Sequence, residues 1–304
     1  GPSRIANWFR AGLRPRWGRR GQRGYARNRD PGNGSPRANP GTRRDPAREL
    51  SRRVTACRAV GGIIEAGLTP AALEIIDRRT IAAVEASVYA AGLPADAGAV
   101  LIIELDGAAV SLPPQVERVK QISAREGATQ VEVASDESER QRFWRARKGA
   151  FGAMGRLAPD LYVHDAVVPR NKLPEVLDEI CAIGDRYGLT LSNVFHAGDG
   201  NIHPNISFDR RDPDALERVM AAGSEILECC VRAGGVITGE HGIGNEKREF
   251  LHLVFSEADM DTMKRFRDCF DPDGVCNPGK IFPTTRFCAE SNPKARGYDR
   301  VHFD

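Results

Sequence analysis

Asn193-Val-Phe-His-Ala-Gly-Asp-Gly-Asn-Ile-His-Pro-Asn-Ile-Ser-Phe208 consists of two largely apolar runs divided by Asp199-Gly200. That dipeptide is a strong hairpin signal, because a type I′ turn needs positive φ at both central residues. With Asp199-Gly200 as a two-residue loop, 198 faces 201, 197 faces 202 and His196 faces His203. Directly opposed residues share a sheet face with Cβ atoms about 4.5–5.5 Å apart, so two imidazoles there can converge on one metal ion. Asn205, two residues on, points to the same face. The alternative, two histidines making ordinary hydrogen bonds, stays open at this point.

Around this hairpin, strands alternate with helices. The stretches 70–77 and 81–91 read as helices and 100–105 as a strand ended by Asp106-Gly107. A helix is expected over 114–125, a strand over 130–134 and a helix over 137–151. Further on come a strand at 161–168, a helix at 171–187, two strands within 190–208 and helices at 213–233 and 256–269. The order implies an α+β fold, most simply two βαβ-type subdomains of ferredoxin-like character, with a helical C-terminal segment.

A second polar stretch is Gly234-Gly-Val-Ile-Thr-Gly-Glu-His-Gly-Ile-Gly-Asn-Glu-Lys-Arg248, a short strand running into Glu240-His241 between glycines. Glycines of this kind let the backbone approach something closely. Glu240 is a candidate carboxylate ligand beside His196 and His203, a set that suits zinc, manganese or iron. His241 is suited to take a proton near neutral pH, since histidine is the side chain whose charge ordinarily changes in that range. The bland reading is a loop entering a helix over 243–255 with Glu240 near its N-terminus. Arg147, within Phe143-Trp-Arg-Ala-Arg-Lys148, lies on a helix whose charges read as a solvated face, or else forks a carboxylate. Asp271-Pro-Asp-Gly-Val-Cys-Asn-Pro-Gly-Lys280 reads as a helix stop followed by turns.

Charge is distributed unevenly. Residues 1–50 hold 13 Arg and no Lys against three acids, a net +10, whereas the 31 basic and 38 acidic residues of 51–304 give −7. An acidic body argues against nucleic acid as the main partner. Residues 1–49 are rich in Arg, Gly and Pro with no hydrophobic period, and a disordered tail is expected there. The chain starts at Gly1-Pro2 instead of Met, and an artefact or truncation is the favoured explanation. Seven cysteines (57, 181, 229, 230, 269, 276 and 288) lack framework spacing and read as reduced, mostly buried thiols of a cytosolic protein. No apolar run approaches the roughly 18 residues of a spanning helix.

Three stretches together carry a resemblance. His196–Pro204, Gly239–Arg248 and Phe270–Pro283 are similar to the C-terminal signatures of the FAD-linked 2-hydroxyacid oxidases, among the vanillyl-alcohol-oxidase-like flavoproteins. Phe143-Trp, Arg147-Lys148, Ala150-Phe151, Gly155-Arg156 and Asn193–Pro204 also resemble the branch of FAD-linked glycolate oxidase subunits. The resemblance implies a duplicated ferredoxin-like cap domain over 50–270 and a segment, 271–304, returning to the flavin domain through Asn277 and Lys280. It implies that His196, His203 and Glu240 hold a divalent metal, that Arg147 and Asn205 touch substrate, and that His241 acts as base. A substrate lysine of some relatives falls on Val163, which disfavours a second carboxylate and favours glycolate or D-lactate. FAD is the implied cofactor, and iron–sulfur and second flavin subunits of a glycolate oxidase complex are the implied partners. A cytoplasmic chain, or one peripheral at the inner membrane through those partners, follows. Residues 1–49 carry nothing similar to the family's flavin-binding half, so this chain alone is expected to hold FAD poorly and to be inactive. A noncatalytic metal-binding remnant is the rival reading.

Overall fold

The computed structural model describes the backbone of residues 3–11 and 46–283 and the side chains of 54–283. Its first half runs β1 (Ser3–Ala11), α1 (Pro46–Glu65), β2 (Ala72–Asp77), α2 (Arg78–Glu85), β3 (Ala99–Gly107), α3 (Leu112–Arg125) and β4 (Ala128–Val133). After α4 (Glu137–Met154) come β5 (Asp160–Val163), β6 (Ala166–Val167), α5 (Leu173–Arg186), β7 (Thr190–His196), β8 (Asn201–Ile202), β9 (Pro204–Phe208), α6 (Ala215–Arg232) and α7 (Glu257–Phe270).

The strands form one antiparallel sheet in the order β4-β1-β3-β2-β7-β8-β6, with β9 continuing the β8 side and pairing with β5 and β7. Beyond β6, Val167 bridges Val236. Leaving α2 aside, β1-α1-β2-β3-α3-β4 is a βαββαβ unit with spatial order 4-1-3-2. The second half, from β6 through α5, β7, β8 and α6 to the Val236 bridge, repeats that order in mirror sequence. The duplicated ferredoxin-like α+β fold expected from the alternation is therefore present. Its two copies join edge to edge, Glu74 opposite His196, Ile75 opposite Phe195 and Ile76 opposite Val194.

Each sheet face has its own core. On one, Ile63, Val119, Ile180 and Ile226 from α1, α3, α5 and α6 cover Leu101, Ile103 and Phe195. On the other, Ile81 and Val84 of α2 and Phe143, Ala146 and Ala150 of α4 cover Ile76, Val100, Ile102 and Val194. Burying a residue of this size contributes about 1.5–3 kcal/mol, so α4 is held by its apolar stripe while its other face stays polar.

Several expectations need correction. Residues 72–77 form a strand, not a helix. Five of its six residues are buried, and a short apolar run with both faces covered carries no period that separates strand from helix. Asp77 then ends β2 and caps α2, accepting from Thr80 N at 2.9 Å and from Asn193 N at 2.8 Å. The helix expected over 243–255 is only a 3₁₀ turn, Arg248–Leu253. Backbone pairing makes Ser3–Ala11 a strand between β3 and β4, where no regular structure was expected; ladder hydrogen bonds need no hydrophobic period. The rest of the expected tail before Pro46 lies outside the described residues. Of the described cysteines, Cys57, Cys229 and Cys230 are buried, Cys181 is half-buried, and Cys269 and Cys276 are exposed, so burial holds for half of them.

Phe143, 1% exposed, clamps α4 to the sheet. Phe143→Ala is expected to cost about 3–5 kcal/mol, read as a lower urea midpoint. Val88→Ala, at a side chain 87% exposed, should change stability by less than about 0.5 kcal/mol.

Candidate metal and substrate site

The hairpin register differs from the expected one. His196 faces Asn201 and Asn193 faces Pro204, so the turn spans residues 197–200 instead of two residues. Asp199 N donates to His196 O at 3.2 Å and Gly200 N to Ala197 O at 3.3 Å. Gly200 has φ +71°, and a Cβ there would lie 2.1 Å from Val168 O, which accounts for glycine at that position. The pairing has slipped by two residues, and a slip of two keeps every side chain on its face. His203 therefore sits diagonal to His196, still on the same side, with ring centroids 5.4 Å apart.

Glu240 meets them from a separate segment. Its Oε1 lies 3.1 Å from His203 Nε2 and 3.6 Å from His196 Nε2, and the three ligand atoms all fall within 4.8 Å of one another. Metal–ligand bonds of about 2.0–2.1 Å in a tetrahedron separate ligand atoms by about 3.3–3.5 Å, so this spacing fits a divalent ion. The outer nitrogens fit as well. His196 Nδ1 is 2.7 Å from Glu74 Oε1 and His203 Nδ1 is 3.3 Å from His164 O, which turns both Nε2 atoms toward Glu240. Burial pushes the His203 pKa down, keeping a neutral ring, whereas the Glu74 hydrogen bond raises that of His196 against its partial burial.

The segment that carries Glu240 is held by Asp165. Its Oδ2 accepts from Thr238 Oγ1 at 2.7 Å and from three successive backbone N–H groups, Gly239 at 2.9 Å, Glu240 at 3.1 Å and His241 at 2.9 Å. Asn201 Nδ2 donates to Oδ1 at 2.8 Å, and Lys247 Nζ donates to the Asp165 carbonyl at 2.5 Å. Burial opposes the charge on Asp165, but these donors outweigh it and hold its carboxyl well below the usual carboxylate range. Gly239 is required by the close approach, since a Cβ there would fall 1.6 Å from Asn201 Nδ2. His241 emerges half-exposed, its ring stacked on His203 at 5.3 Å and its Nε2 3.7 Å from Glu240 Oε1.

Arg147 is buried, not part of a solvated face. Its Nε donates to Glu74 Oε2 at 2.8 Å, and among the described residues its two terminal nitrogens have no protein partner. One turn later Phe151 sets its ring edge toward His203, with centroids 6.4 Å apart. Asn205 is fully buried two residues after His203; its amide donates to His203 O at 2.7 Å and to Ser192 O at 3.3 Å, and among the described residues its Oδ1 has no partner. Asn277 and Lys280 stand apart. Asn277 is exposed at φ +46°, on a segment whose carbonyls are gripped by Arg267 and Arg248.

Thus His196, His203, Glu240 and His241 come together as expected, with Arg147 joined to them through Glu74. Sequence reading missed Glu74, hidden in a stretch taken for a helix, and Asp165, which lies between β5 and β6 and was absorbed into one strand expected over 161–168.

Comparison with known proteins gives the same arrangement a family. The description "FAD linked oxidases, C-terminal domain" matches residues 53–281. This chain belongs to that family. The chain is 47% identical over 232 residues to glycolate oxidase subunit GlcD of Escherichia coli (strain K12), covering 76% of this chain and 46% of the relative. It is 38% identical over 228 residues to the subunit of the same name from Bacillus subtilis (strain 168), covering 75% and 48%. A probable mitochondrial D-lactate dehydrogenase of Danio rerio is 32% identical over 188 residues, covering 61% and 38%. This FAD-linked oxidase domain thus spans about half the length of the relatives it matches. In fold it is similar to 4-ethylphenol oxidase from Gulosibacter chungangensis, with a TM-score of 0.60 at 13% identity over 92% of this chain and 54% of that one.

Asp165→Asn is expected to cost about 3 kcal/mol at neutral pH, because a buried acceptor of several donors becomes an amide that must itself donate. A carboxyl whose folded pKa is depressed stabilises above its unfolded value near 3.9, and that stabilisation is lost as pH falls through the folded value. The gap between wild type and Asp165→Asn in urea unfolding should therefore be full at pH 7 and close progressively below about pH 4.

Proposed function

We propose that this domain forms the substrate side of an FAD-dependent enzyme that oxidises a small 2-hydroxy acid, glycolate or D-lactate, to the 2-oxo acid. The observation that carries the reading is the convergence of His196, His203 and Glu240 beside a buried arginine whose two terminal nitrogens have no partner among the described residues. The names of its relatives, glycolate oxidase subunit and D-lactate dehydrogenase, support the substrate class.

In this reading His196, His203 and Glu240 hold a divalent ion (zinc, manganese or iron), which when bound supplies Lewis-acid polarisation of the substrate hydroxyl. Arg147 receives the substrate carboxylate on its outer edge, a fork that fixes a planar anion in one orientation. His241, on a backbone fixed by Asp165, takes the hydroxyl proton at Nε2. Asn205 is assigned as the second substrate contact, through an Oδ1 without a partner among the described residues, while its amide donates to the His203 carbonyl. Phe151 walls the side next to His203, and the apolar Val163 offers no partner for a second carboxylate, so short substrates are favoured.

The family's cofactor is FAD, which supplies the two-electron acceptor. Asn277 and Lys280, on an open segment, are too few to hold it by themselves. We assign 50–270 as the cap, 271–304 as the segment that meets a flavin domain, and iron–sulfur and second flavin subunits as partners of the complete complex. No helix among the described residues is long and apolar enough to cross a membrane, and a cytoplasmic complex is the setting proposed.

Elemental analysis of the purified chain should find about one divalent ion per chain, lost in His203→Ala and in Glu240→Ala. On the ion-loaded protein, glycolate or D-lactate should raise the melting temperature, and Arg147→Lys should abolish that shift. Added FAD should give no stoichiometric flavin spectrum bleached by glycolate. An ion bound without any response to a 2-hydroxy acid would replace the enzymatic reading with that of a metal-binding remnant.

A further inference from the structure

Among the described residues, Glu74 is the only side chain that touches both a histidine of the ion cluster and the arginine beside it. It is 5% exposed on the seam strand β2, directly opposite His196 in the ladder. Its two oxygens are divided: Oε2 accepts from Arg147 Nε at 2.8 Å, and Oε1 lies 2.7 Å from His196 Nδ1. A carboxylate serving only to neutralise a buried arginine is satisfied best by the two-pronged pairing in which both oxygens face the guanidinium. Here one oxygen is withheld from Arg147 and given to the ring nitrogen opposite the Nε2 that faces Glu240. The contact is fixed by main-chain register, since residues directly opposed across two strands hold their Cβ atoms about 4.5–5.5 Å apart.

We propose that Glu74 is a positioning residue that locks His196 in the tautomer with hydrogen on Nδ1 while anchoring Arg147, so that ion site and carboxylate site are set by one side chain. The proposal deepens the functional reading above and rests on it for the ion. Its chemistry follows from donor and acceptor counting. Arg147 can only donate, and a carboxylate can accept from Arg147 and from His196 Nδ1–H at once. A glutamine must keep its oxygen for Arg147 and turn its NH₂ toward His196, which can accept only by moving its hydrogen to Nε2, the ligand atom.

The test uses the full chain, labelled with ¹⁵N-histidine and free of metal, at an alkaline pH where the ring is neutral. Long-range proton–nitrogen correlation, with His196 identified by the signal missing in His196→Asn, should show hydrogen on Nδ1 in the wild type and on Nε2 in Glu74→Gln. Zinc or manganese affinity, measured by calorimetry, should fall about 10–100-fold in Glu74→Gln, as for other carboxylates behind a metal-binding histidine. Arg147→Met should keep the wild-type tautomer and affinity within about threefold. The double variant Glu74→Gln/Arg147→Met, whose amide is freed from the arginine, should recover the Nδ1–H form and part of the affinity. An unchanged tautomer in Glu74→Gln, or equal affinity losses in Glu74→Gln and Arg147→Met, would overturn the proposal. If Glu74→Gln does not fold, Glu74→Asp decides by the same signal: loss of the Nδ1–H form supports the assignment and its retention overturns it. A wild type that takes up neither ion would sink the metal reading, and the tautomer would still decide the role of Glu74.

Discussion

The site depends on a buried carboxylate that belongs to no reaction. Asp165 gathers Thr238, Asn201 and three consecutive backbone N–H groups, and Lys247 adds its charge 3.6 Å from the same Oδ2. Glu240 and His241 lie on a glycine-rich segment that has no secondary structure of its own to hold it. A charge taken out of water is tolerated only when its lone pairs are met, so the carboxylate and the segment stabilise each other. His203 shares the arrangement through the carbonyl of His164, the residue before Asp165. His164 itself is buried, its Nε2 has no partner among the described residues, and burial pushes its pKa down to about 3, so it serves as a neutral packing element against Tyr162.

The sheet supplies the other half of the geometry. β2 and β7 are the edges at which the two ferredoxin-like copies meet, and Glu74 and His196 are partners across that seam. α4 lies over it on the face of the smaller core, which places Arg147 within reach of Glu74. Three elements from different parts of the chain thus meet at one line. Duplication explains why the cluster sits at the middle of the sheet instead of at a rim.

Much of this was legible in the sequence. The alternation of strands and helices gave the α+β class, and the two-residue period kept His196 and His203 on one face even though the turn was longer than Asp199-Gly200 suggested. What failed did so for identifiable reasons. Residues 72–77 are buried at five of six positions because both faces of a central strand are covered, and with Glu74 and Asp77 among the apolar residues and alanines at 71 and 72 the run gives no period to read. Glu74 was lost with that strand. The partners of Arg147 and the role of Asp165 depend on residues 73 and about 75 positions away, and no local pattern encodes such contacts. The strand at Ser3–Ala11 lacked any hydrophobic signature and is joined to the sheet through its backbone.

Joining the copies at β2 and β7 also leaves, among the described residues, β4 and the Val236 bridge as the two ends of the main sheet, with the four-residue β5 as a further edge on the β9 branch. One end is β4, whose Thr129, Gln130 and Glu132 break up an otherwise apolar run. The other end is reduced to a single bridge at Val236 behind two glycines, too short to template a ladder. Long, flat, apolar margins invite a foreign strand to add itself, and neither end qualifies. The seam that carries the site therefore leaves the main sheet no long apolar end on which a filament could grow.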